Sequence, residues 1–239
     1  IAQAQSGTGK TGCFAVGVLN IIDPSLSHTQ ALILAPTHEL ANQILSVVKS
    51  IGSFRKGLVT QLLVGGTSVD GDRQKLDSNP PHIVVGTPGR VHDMIRRKYL
   101  KTEKIGIIVL DEADEMLSQG FKDQIYKIFQ YMPSEIQIGL FSATIPEEAK
   151  ALSETFMDNP SRILVKAEML TLQGIAQYHI KLDGDEQKYL TLKDVFSGLA
   201  VSQSIIYCNS TRRVDDLHEA MLQDDFPVKK IHGKMDEHE

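Results

Sequence analysis

The segment from residue 4 to residue 11, Ala-Gln-Ser-Gly-Thr-Gly-Lys-Thr, constrains the fold of this chain more than any other feature. A glycine-containing loop that ends in Gly-Lys-Thr and leads into a helical stretch is typical of a phosphate-binding loop. Its backbone N–H groups, lysine ammonium and threonine hydroxyl suit the phosphates and Mg²⁺ of a nucleoside triphosphate. Such a loop joins a buried strand to a helix, which predicts an α/β fold. The alternative interpretation is a glycine-rich surface turn.

An acidic motif, Asp-Glu-Ala-Asp at 111–114, follows the apolar run 105–110. One carboxylate at the end of a strand can hold Mg²⁺, while its neighbour positions or deprotonates a water molecule. We therefore assign Asp111 and Thr11 to the Mg²⁺ shell and Glu112 to water activation. Lys10 is assigned to the β- and γ-phosphates. Taken alone, the tetrapeptide also fits an acidic helix start, which the helix dipole favours. The predicted nucleotide contacts are Ala4, Gln5, Ser6, Gly7, Thr8, Gly9, Lys10 and Thr11.

Apolar runs rich in β-branched residues alternate with helical patterns over the first two thirds of the chain. This alternation predicts a parallel sheet with helices on both faces. The runs are apolar throughout rather than at every second position, as is typical of strands covered on both sides. The predicted strands are residues 31–35, 60–64, 83–86, 105–110, 137–141 and 163–165.

The alternation pauses near residues 166–175 and then restarts. Strands are predicted at 178–182, 204–207 and 228–231, with helices at 187–196 and 214–222. The predicted organisation is therefore a nucleotide-binding domain at 1–165, a linker at 166–175 and the first part of a second α/β domain at 176–239. Since only three residues precede the phosphate loop, we also expect the chain to be a fragment of a longer protein.

Composition narrows the candidate functions. Acidic residues outnumber basic ones, 30 to 25, which excludes a protein that binds nucleic acid through a generally basic surface. Any nucleic acid must be bound along a narrow path by local groups. No apolar run reaches the length of a membrane span, so no membrane partner is expected. The two cysteines, Cys13 and Cys208, have no metal-ligand spacing and indicate a reducing compartment. We expect the cytoplasm, with the nucleus as the alternative.

Several motifs, in a fixed order, resemble those of the DEAD-box RNA helicases. The acidic tetrapeptide at 111–114 is similar to the signature of that family, and the resemblance covers essentially the whole chain. Residues 111–117 together with 120–129 resemble the branch of translation initiation factor four-A. The other matching segments are Pro36-Thr37-His38-Glu39-Leu40, Gly65-Gly66, Thr87-Pro88-Gly89-Arg90, Ser142-Ala143-Thr144, Ile206-Tyr207-Cys208-Asn209-Ser210 and His232-Gly233.

The resemblance implies a RecA-like first domain followed by the first part of a second RecA-like domain, with ATP and Mg²⁺ as cofactors. It also implies that Ser142 and Thr144 couple the state of the nucleotide to RNA binding through Asp114. The two hydroxyls also fit the capping of a following helix, which is the simpler interpretation.

The resemblance further implies RNA contacts to the sugar-phosphate backbone rather than to the bases, so that binding is independent of the RNA sequence. Small residues let the backbone approach a sugar-phosphate chain, hydroxyls donate to phosphate oxygens, and Arg90 supplies a charged fork. Without the resemblance, Thr-Pro-Gly-Arg is a turn followed by a helix. His38 departs from the family pattern, which has arginine there, and is left out of the predicted contacts. These contacts are Pro36, Thr37, Gly65, Gly66, Thr87, Pro88, Gly89 and Arg90.

The function implied by the resemblance is an ATP-dependent RNA helicase whose RNA-stimulated ATP hydrolysis separates short duplexes in translation initiation. A helical-repeat scaffold protein is the implied partner besides RNA. An ATP-gated RNA clamp would use the same residues and is the alternative; a DNA helicase fits the Asp-Glu-Ala-Asp and Ser-Ala-Thr motifs less well. The family's His-Arg-Ile-Gly-Arg segment does not occur in these 239 residues. Since an arginine finger is worth about 10³–10⁵ in turnover, we expect this chain alone to bind ATP–Mg²⁺ weakly and hydrolyse it slowly.

Overall fold

The computed structural model describes residues 1–118, 120–165, 175–199 and 203–235. The contacts within the chain divide it into two compact units, residues 1–175 and 176–239. No helix in the described ranges combines the length and the apolar character that crossing a membrane requires.

The first unit is built on one sheet of six parallel strands in the order β1-β6-β5-β2-β4-β3. The strands are β1 Ala2–Gln3, β2 Ala31–Leu34, β3 Thr60–Leu63, β4 Ile83–Gly86, β5 Ile107–Asp111 and β6 Gln137–Ser142. The helices are α1 Lys10–Ile21, α2 His38–Ile51, α3 Val69–Ser78, α4 Pro88–Arg96, α5 Ala113–Ser118, α6 Lys122–Gln130 and α7 Glu147–Phe156. A short 3₁₀ helix, Gly52–Phe54, follows α2.

Apolar side chains are buried on both faces of this sheet. Successive residues of a strand point to opposite faces, and β2 shows the consequence. Leu32 and Leu34 belong to one buried cluster, while Ala31 and Ile33 belong to the other. Burial of each large aliphatic side chain stabilises the fold by about 1.5–3 kcal/mol relative to exposure. The predicted parallel sheet with helices on both faces is confirmed.

The strand bounds differ from the prediction at a few places. The strand predicted at 105–110 is shifted, so that β5 takes in Asp111. The strand predicted at 163–165 is wrong, because Ile163 makes only an isolated bridge to Ala2. β1 is absent from the predicted strands, since two residues are too short to show a periodic pattern. Its Gln3 N–H nevertheless donates to the Ile163 carbonyl at 2.8 Å.

The described residues of the second unit contain two helices, α8 Gln187–Gly198 and α9 Thr211–Gln223, near the predicted positions. The strands predicted at 178–182, 204–207 and 228–231 are wrong, because residues 175–199 and 203–235 contain no strand. Tyr178, Tyr207 and Ile231 in these segments are 91%, 88% and 88% exposed. An apolar β-branched run forms a strand only where a neighbouring strand supplies hydrogen bonds. Residues 166–174 of the predicted linker lie outside the described residues.

The carboxyl ends of the parallel strands meet at one edge of the first sheet, which is where ligands bind in open α/β sheets. The neighbours β1, β6 and β5 lead into residues 4–11, 142–144 and 111–114. The neighbours β2, β4 and β3 lead into 36–40, 87–90 and 65–66. The topology thus collects the predicted nucleotide motifs on one half of the edge and the predicted RNA motifs on the other.

Candidate functional site

The loop between β1 and α1 turns through two glycines. Gly7 and Gly9 have φ angles of 77° and 95°, a left-handed backbone that other residues adopt only at a cost. α1 begins at Lys10, directly after Gly9, and the first N–H groups of a helix lack intrahelical partners and can bind an anion. The Lys10 ammonium donates to the carbonyl oxygens of Ala4 and Gln5 at 2.7 and 3.0 Å. The loop therefore encloses its own lysine.

Asp111 ends β5 and is 3% exposed. Its Oδ1 accepts a hydrogen bond from the Glu112 N–H at 3.1 Å. Burial raises the pKa of the Asp111 carboxyl, while the Glu112 N–H and the positive charge of Lys10 oppose that rise. The positive charge of Lys10 thus favours the ionised form of the Asp111 carboxyl.

Glu112 follows with a left-handed backbone, at a φ of 52°. Such conformations cost energy for a residue other than glycine and are concentrated at functional sites. Burial raises the pKa of the Glu112 carboxyl, and its hydrogen bond with Glu115 and the negative charge of Asp111 raise it further. A carboxylate with a raised pKa is well suited to accept a proton from a reacting water molecule.

Asp114 connects the start of α5 to the segment after β6. Its Oδ2 accepts hydrogen bonds from the Thr144 hydroxyl at 2.6 Å and from the Thr144 N–H at 3.2 Å. The Asp114 N–H donates to the Ser142 hydroxyl at 3.3 Å. Burial alone would raise the pKa of Asp114, but the hydrogen bonds from Thr144 and Ser142 outweigh it and lower that pKa. The three predicted coupling residues are thus in direct contact.

Several of these side chains line one cavity of about 480 Å³. The cavity receives residues from the segments after β1, β5 and β6, so that Lys10, Glu112 and Asp114 are brought together. Asp111 is buried next to Glu112 in the chain and is not among the lining residues. Gln3 adds a link between β1 and β6, because its Nε2 donates to the Ala143 carbonyl at 3.1 Å. The residues that line the cavity are Ser6, Lys10, Glu112, Asp114, Glu115, Ala143, Thr144 and Pro146.

The donor set of this site fits Mg²⁺ held together with a phosphate. Mg²⁺ in nucleotide sites takes one or two carboxylates, with phosphate oxygens and water completing its shell. The Asp111 carboxylate and the Thr11 hydroxyl, in the first turn of α1, supply protein ligands of this kind. Among the described residues, no three His, Cys, Asp or Glu side chains are grouped so that they could hold a metal ion. The arrangement does not resemble an all-protein metal centre.

A second cavity, of about 340 Å³, contains most of the predicted RNA contacts, and we call it the groove. The imidazole of His38 packs against Gly65 so closely that a Cβ there would lie 3.2 Å from Nε2. Thr37 caps α2, its hydroxyl accepting from the Leu40 N–H at 3.2 Å. Pro88 begins α4, where proline is favoured. The groove is lined by Pro36, His38, Gly65, Thr87, Gly89, Arg90, Asp93 and Phe121.

The guanidinium of Arg90 contacts the protein itself. Nη1 donates to the Thr67 hydroxyl at 2.9 Å and to Asp72 Oδ2, and Nη2 donates to the Thr67 carbonyl at 2.7 Å. The side chains of Arg90 and Asp72 are only 9% and 7% exposed. The charged fork that the resemblance assigns to phosphate is therefore engaged on Asp72 and Thr67.

Comparison with known proteins assigns the family. The sequence profile of the DEAD/DEAH box helicases matches residues 1–152. This chain belongs to the DEAD/DEAH box helicase family. The resemblance that the motifs predicted is thereby confirmed.

Two curated relatives of this DEAD-box chain match it over 237 residues, 99% of its length. Eukaryotic initiation factor 4A-3 of Arabidopsis thaliana is 52% identical, and the match covers 57% of that protein. The ATP-dependent RNA helicase eIF4A of Neurospora crassa is 51% identical, and the match covers 59% of it. The chain thus spans less than two thirds of the length of either relative. The predicted resemblance to the initiation factor four-A branch is confirmed.

Among solved structures, the DEAD-box chain matches S. cerevisiae Dbp5 bound to RNA and ADP BeF3, with a TM-score of 0.82 and 31% identity. The match covers 100% of this chain and 60% of that one. Together with the six-stranded parallel sheet, it confirms the predicted RecA-like fold class.

Three residues of the DEAD-box domain that shape the site were missed by the sequence argument. Glu115 stands three residues after Glu112, and that spacing could have suggested their contact if a helix starts there. Thr67 and Asp72 gave no comparable signal. Asp72 lies between the exposed acids Asp70 and Asp77 of α3, and only the tertiary structure distinguishes it by burying it.

The predicted family segments at 206–210 and 232–233 lie in the second unit. The Ser210 hydroxyl caps α9 by accepting from the Arg213 N–H at 3.3 Å. His232 Nε2 lies 3.3 Å from Asp215 Oδ1, which also accepts from the Lys230 ammonium at 2.5 Å. These contacts hold the side chains within the second unit, and their functional roles stay predictions.

Proposed function

We propose that this chain is the nucleotide-binding part of an ATP-dependent RNA helicase. The observation that carries the proposal is the adjacency of β1, β6 and β5, whose carboxyl ends bring Lys10 of the phosphate loop, Glu112 and Thr144 to one cavity. The groove lies on the other half of the same sheet edge. The names of the relatives support the proposal, since one is an ATP-dependent RNA helicase and the matching Dbp5 structure holds RNA with ADP BeF3.

In the proposed nucleotide site, the N–H groups at the start of α1 donate to phosphate oxygens and Lys10 neutralises the β- and γ-phosphate charge. Thr11 and Asp111 would hold Mg²⁺, which would supply positive charge to stabilise the transferred phosphoryl group. Glu112 orients the attacking water and accepts its proton, and its raised pKa makes its carboxylate a stronger base.

The proposed coupling uses the hydrogen bonds of Asp114. This residue follows the water-activating Glu112 closely in sequence and binds Thr144 after β6. A change in the position of the acid segment therefore moves the segment after β6 with it. Coupling of this kind requires that the two states of the nucleotide stabilise two arrangements of the same contacts differently.

RNA is proposed to lie in the groove, held by its backbone, so that binding is independent of sequence. The net charge of −5 supports a small number of local contacts. The name of the Arabidopsis relative supports a role in translation initiation. For that role we propose a cytoplasmic protein that also binds a helical-repeat scaffold.

The test compares Lys10→Ala with Glu112→Gln in a protein that carries this chain, with ATP binding and RNA-stimulated hydrolysis as readouts. Lys10→Ala is expected to abolish ATP binding, because it removes the cation at the outer phosphates. Glu112→Gln is expected to keep ATP binding and lose about 10²-fold or more in turnover, the contribution of a general base. Normal turnover by Glu112→Gln would remove Glu112 from the proposed role.

Strand displacement on a short RNA duplex then separates a helicase from an ATP-gated clamp. A helicase releases the displaced strand in the presence of ATP. A clamp retains single-stranded RNA under ATP and leaves the duplex intact, and that outcome would replace the proposed activity with the alternative one.

A further inference from the structure

We infer that Asp72 is a positioning residue for RNA binding: through Arg90 it fixes the spacing between the two walls of the groove, and phosphate contacts are left to other donors, namely hydroxyls and backbone N–H groups. The inference rests on the proposed binding of RNA in the groove. It assigns a role to a residue that no motif marks.

The first observation is that Asp72 joins three elements. Its carboxylate accepts from Arg90 of α4 and from the Thr67 hydroxyl, the latter at 2.9 Å. Its carbonyl oxygen accepts from Gln61 Nε2 of β3 at 3.1 Å, in a buried contact. The start of α3 is thus tied to the sheet, to the loop after β3 and to the start of α4.

The second observation is the position of these hydrogen bonds relative to the groove. Gly65, in the loop after β3, forms one wall of the groove, and Gly89, at the start of α4, forms another. Thr67 lies in the same loop as Gly65, and Arg90 follows Gly89, so the hydrogen bonds from Arg90 to Thr67 link the two segments that form the walls. Loss of this bridge lets the two walls move apart.

The third observation concerns charge. Arg90 directs N–H groups of both terminal nitrogens at protein oxygens, and its charge is paired with Asp72 in a largely buried contact. A paired charge of this kind adds little net positive potential to the groove. Other donors of the groove can contact a phosphate. They include the Thr87 hydroxyl, which makes no capping hydrogen bond, and backbone N–H groups such as that of Gly89 in the first turn of α4, where a helix has no internal partners for them.

A charge-matched pair of variants tests the inference in this 239-residue chain. Asp72→Asn and Asp70→Asn each remove one negative charge from the first turn of α3, but Asp70 is exposed. Binding of a fluorescently labelled single-stranded oligouridylate is measured by anisotropy over a range of salt concentrations. Circular dichroism and ATP binding at the other cavity, whose lining shares no residue with the groove, report whether each variant is folded.

We expect Asp72→Asn to weaken RNA binding about tenfold, the scale of one charge-assisted hydrogen bond, while Asp70→Asn leaves it unchanged or slightly tighter. Electrostatics alone predicts the opposite sign for Asp72→Asn, since removal of an acid near RNA strengthens attraction. Equal or tighter binding by folded Asp72→Asn would overturn the inference. If the unmodified chain does not bind the RNA, the proposed function fails and the role of Asp72 fails with it.

Arg90→Lys and Arg90→Gln provide a second, independent test of the inference, which can be carried out even if Asp72→Asn does not fold. A positioning role needs the guanidinium fork, so both variants are expected to weaken binding and to leave the dependence of log Kd on log salt unchanged. A direct phosphate contact predicts that lysine largely replaces arginine and that glutamine lowers the salt slope by about 0.7. The latter pattern would assign Arg90 to RNA and overturn the inference.

Discussion

Asp114, which is proposed to couple the nucleotide to RNA, also contributes to the stability of the fold. The Thr144 hydroxyl and N–H and the Ser142 hydroxyl stabilise its ionised carboxylate and lower its pKa despite partial burial. Because the folded pKa lies below the unfolded one, the stabilisation is fully present above the ordinary value of 3.8. It is lost as the pH falls through the lowered, folded pKa.

Thr144→Val is therefore expected to reduce the free energy of unfolding at neutral pH by about 0.5–1 kcal/mol, since Thr144 is exposed and its hydrogen bond is partly screened. The difference from the unmodified chain should shrink at acidic pH, where Asp114 is protonated. Urea unfolding at several pH values measures both effects.

Thr155→Val is the control for that substitution. Its hydroxyl donates to the Ala151 carbonyl on the exposed face of α7 at 2.8 Å, and not to a carboxylate. The change should stay within about 0.5 kcal/mol at every pH. A loss for Thr144→Val that does not vary with pH would contradict the proposed link to Asp114.

The carboxyl of Asp111 changes the pH dependence of stability in the opposite direction to that of Asp114. Burial raises its folded pKa, so the chain loses stability as the pH rises from the unfolded value through the folded one. Asp111→Asn is expected to raise the melting temperature of the nucleotide-free chain at neutral pH by roughly 2–4 °C, as a neutral amide removes the cost of a buried charge. Thermal unfolding followed by circular dichroism measures it, with the exposed Asp123→Asn as a control that should show no rise. A lower melting temperature for Asp111→Asn would contradict the burial argument.

At the residue scale, the sequence identifies the groups that motifs mark and misses those that only contacts mark. Lys10, Asp111 and Glu112 follow from residue type and order, because their chemistry requires those types. The engagement of Arg90 with Asp72 does not follow, because a turn followed by a helix leaves the partner of an arginine open.

At the element scale, α1 depends on the backbone of the residue before it. Gly9 has a φ of 95°, and a Cβ added there would have no neighbour within 4 Å. Gly9→Ala therefore introduces backbone strain without a steric clash. We expect a loss of about 1–2 kcal/mol in unfolding free energy. Gly12→Ala, inside α1 and equally open, should instead gain up to about 1 kcal/mol, because alanine favours a helix.

Chemical denaturation of the two glycine variants measures this difference in sign. If Gly9→Ala is as stable as Gly12→Ala, the left-handed backbone at Gly9 does not constrain the loop. The two positions share a helix terminus and differ in backbone conformation, so their comparison isolates the φ angle.

The strands show what a periodic pattern can and cannot predict. β2 to β6 lie in a sheet covered on both faces, and each appears in the sequence as a largely apolar run. The same kind of run at 204–207 forms no strand, because an apolar run shows only that the residues are compatible with a buried strand. Strand formation depends on a neighbour that the local sequence does not specify.

At the scale of the whole molecule, the strand order explains why distant motifs act together. Residues 4–11 and 111–114 are far apart in sequence, yet β6 alone separates the strands that carry them. The resemblance implies this convergence, and the net charge of −5 favours a local site for the proposed RNA contacts. The order of the strands itself could not be obtained from composition or periodicity.

The central claim is that Lys10 and the carboxylates of residues 111 and 112 act on one magnesium-bound triphosphate. Titration of this chain with a fluorescent ATP analogue, with and without Mg²⁺, tests it most directly. The unmodified chain should bind more tightly with Mg²⁺, Asp111→Asn should lose that Mg²⁺ dependence, and Lys10→Ala should lose binding in both conditions. An Asp111→Asn variant that keeps the full Mg²⁺ effect would contradict the claim.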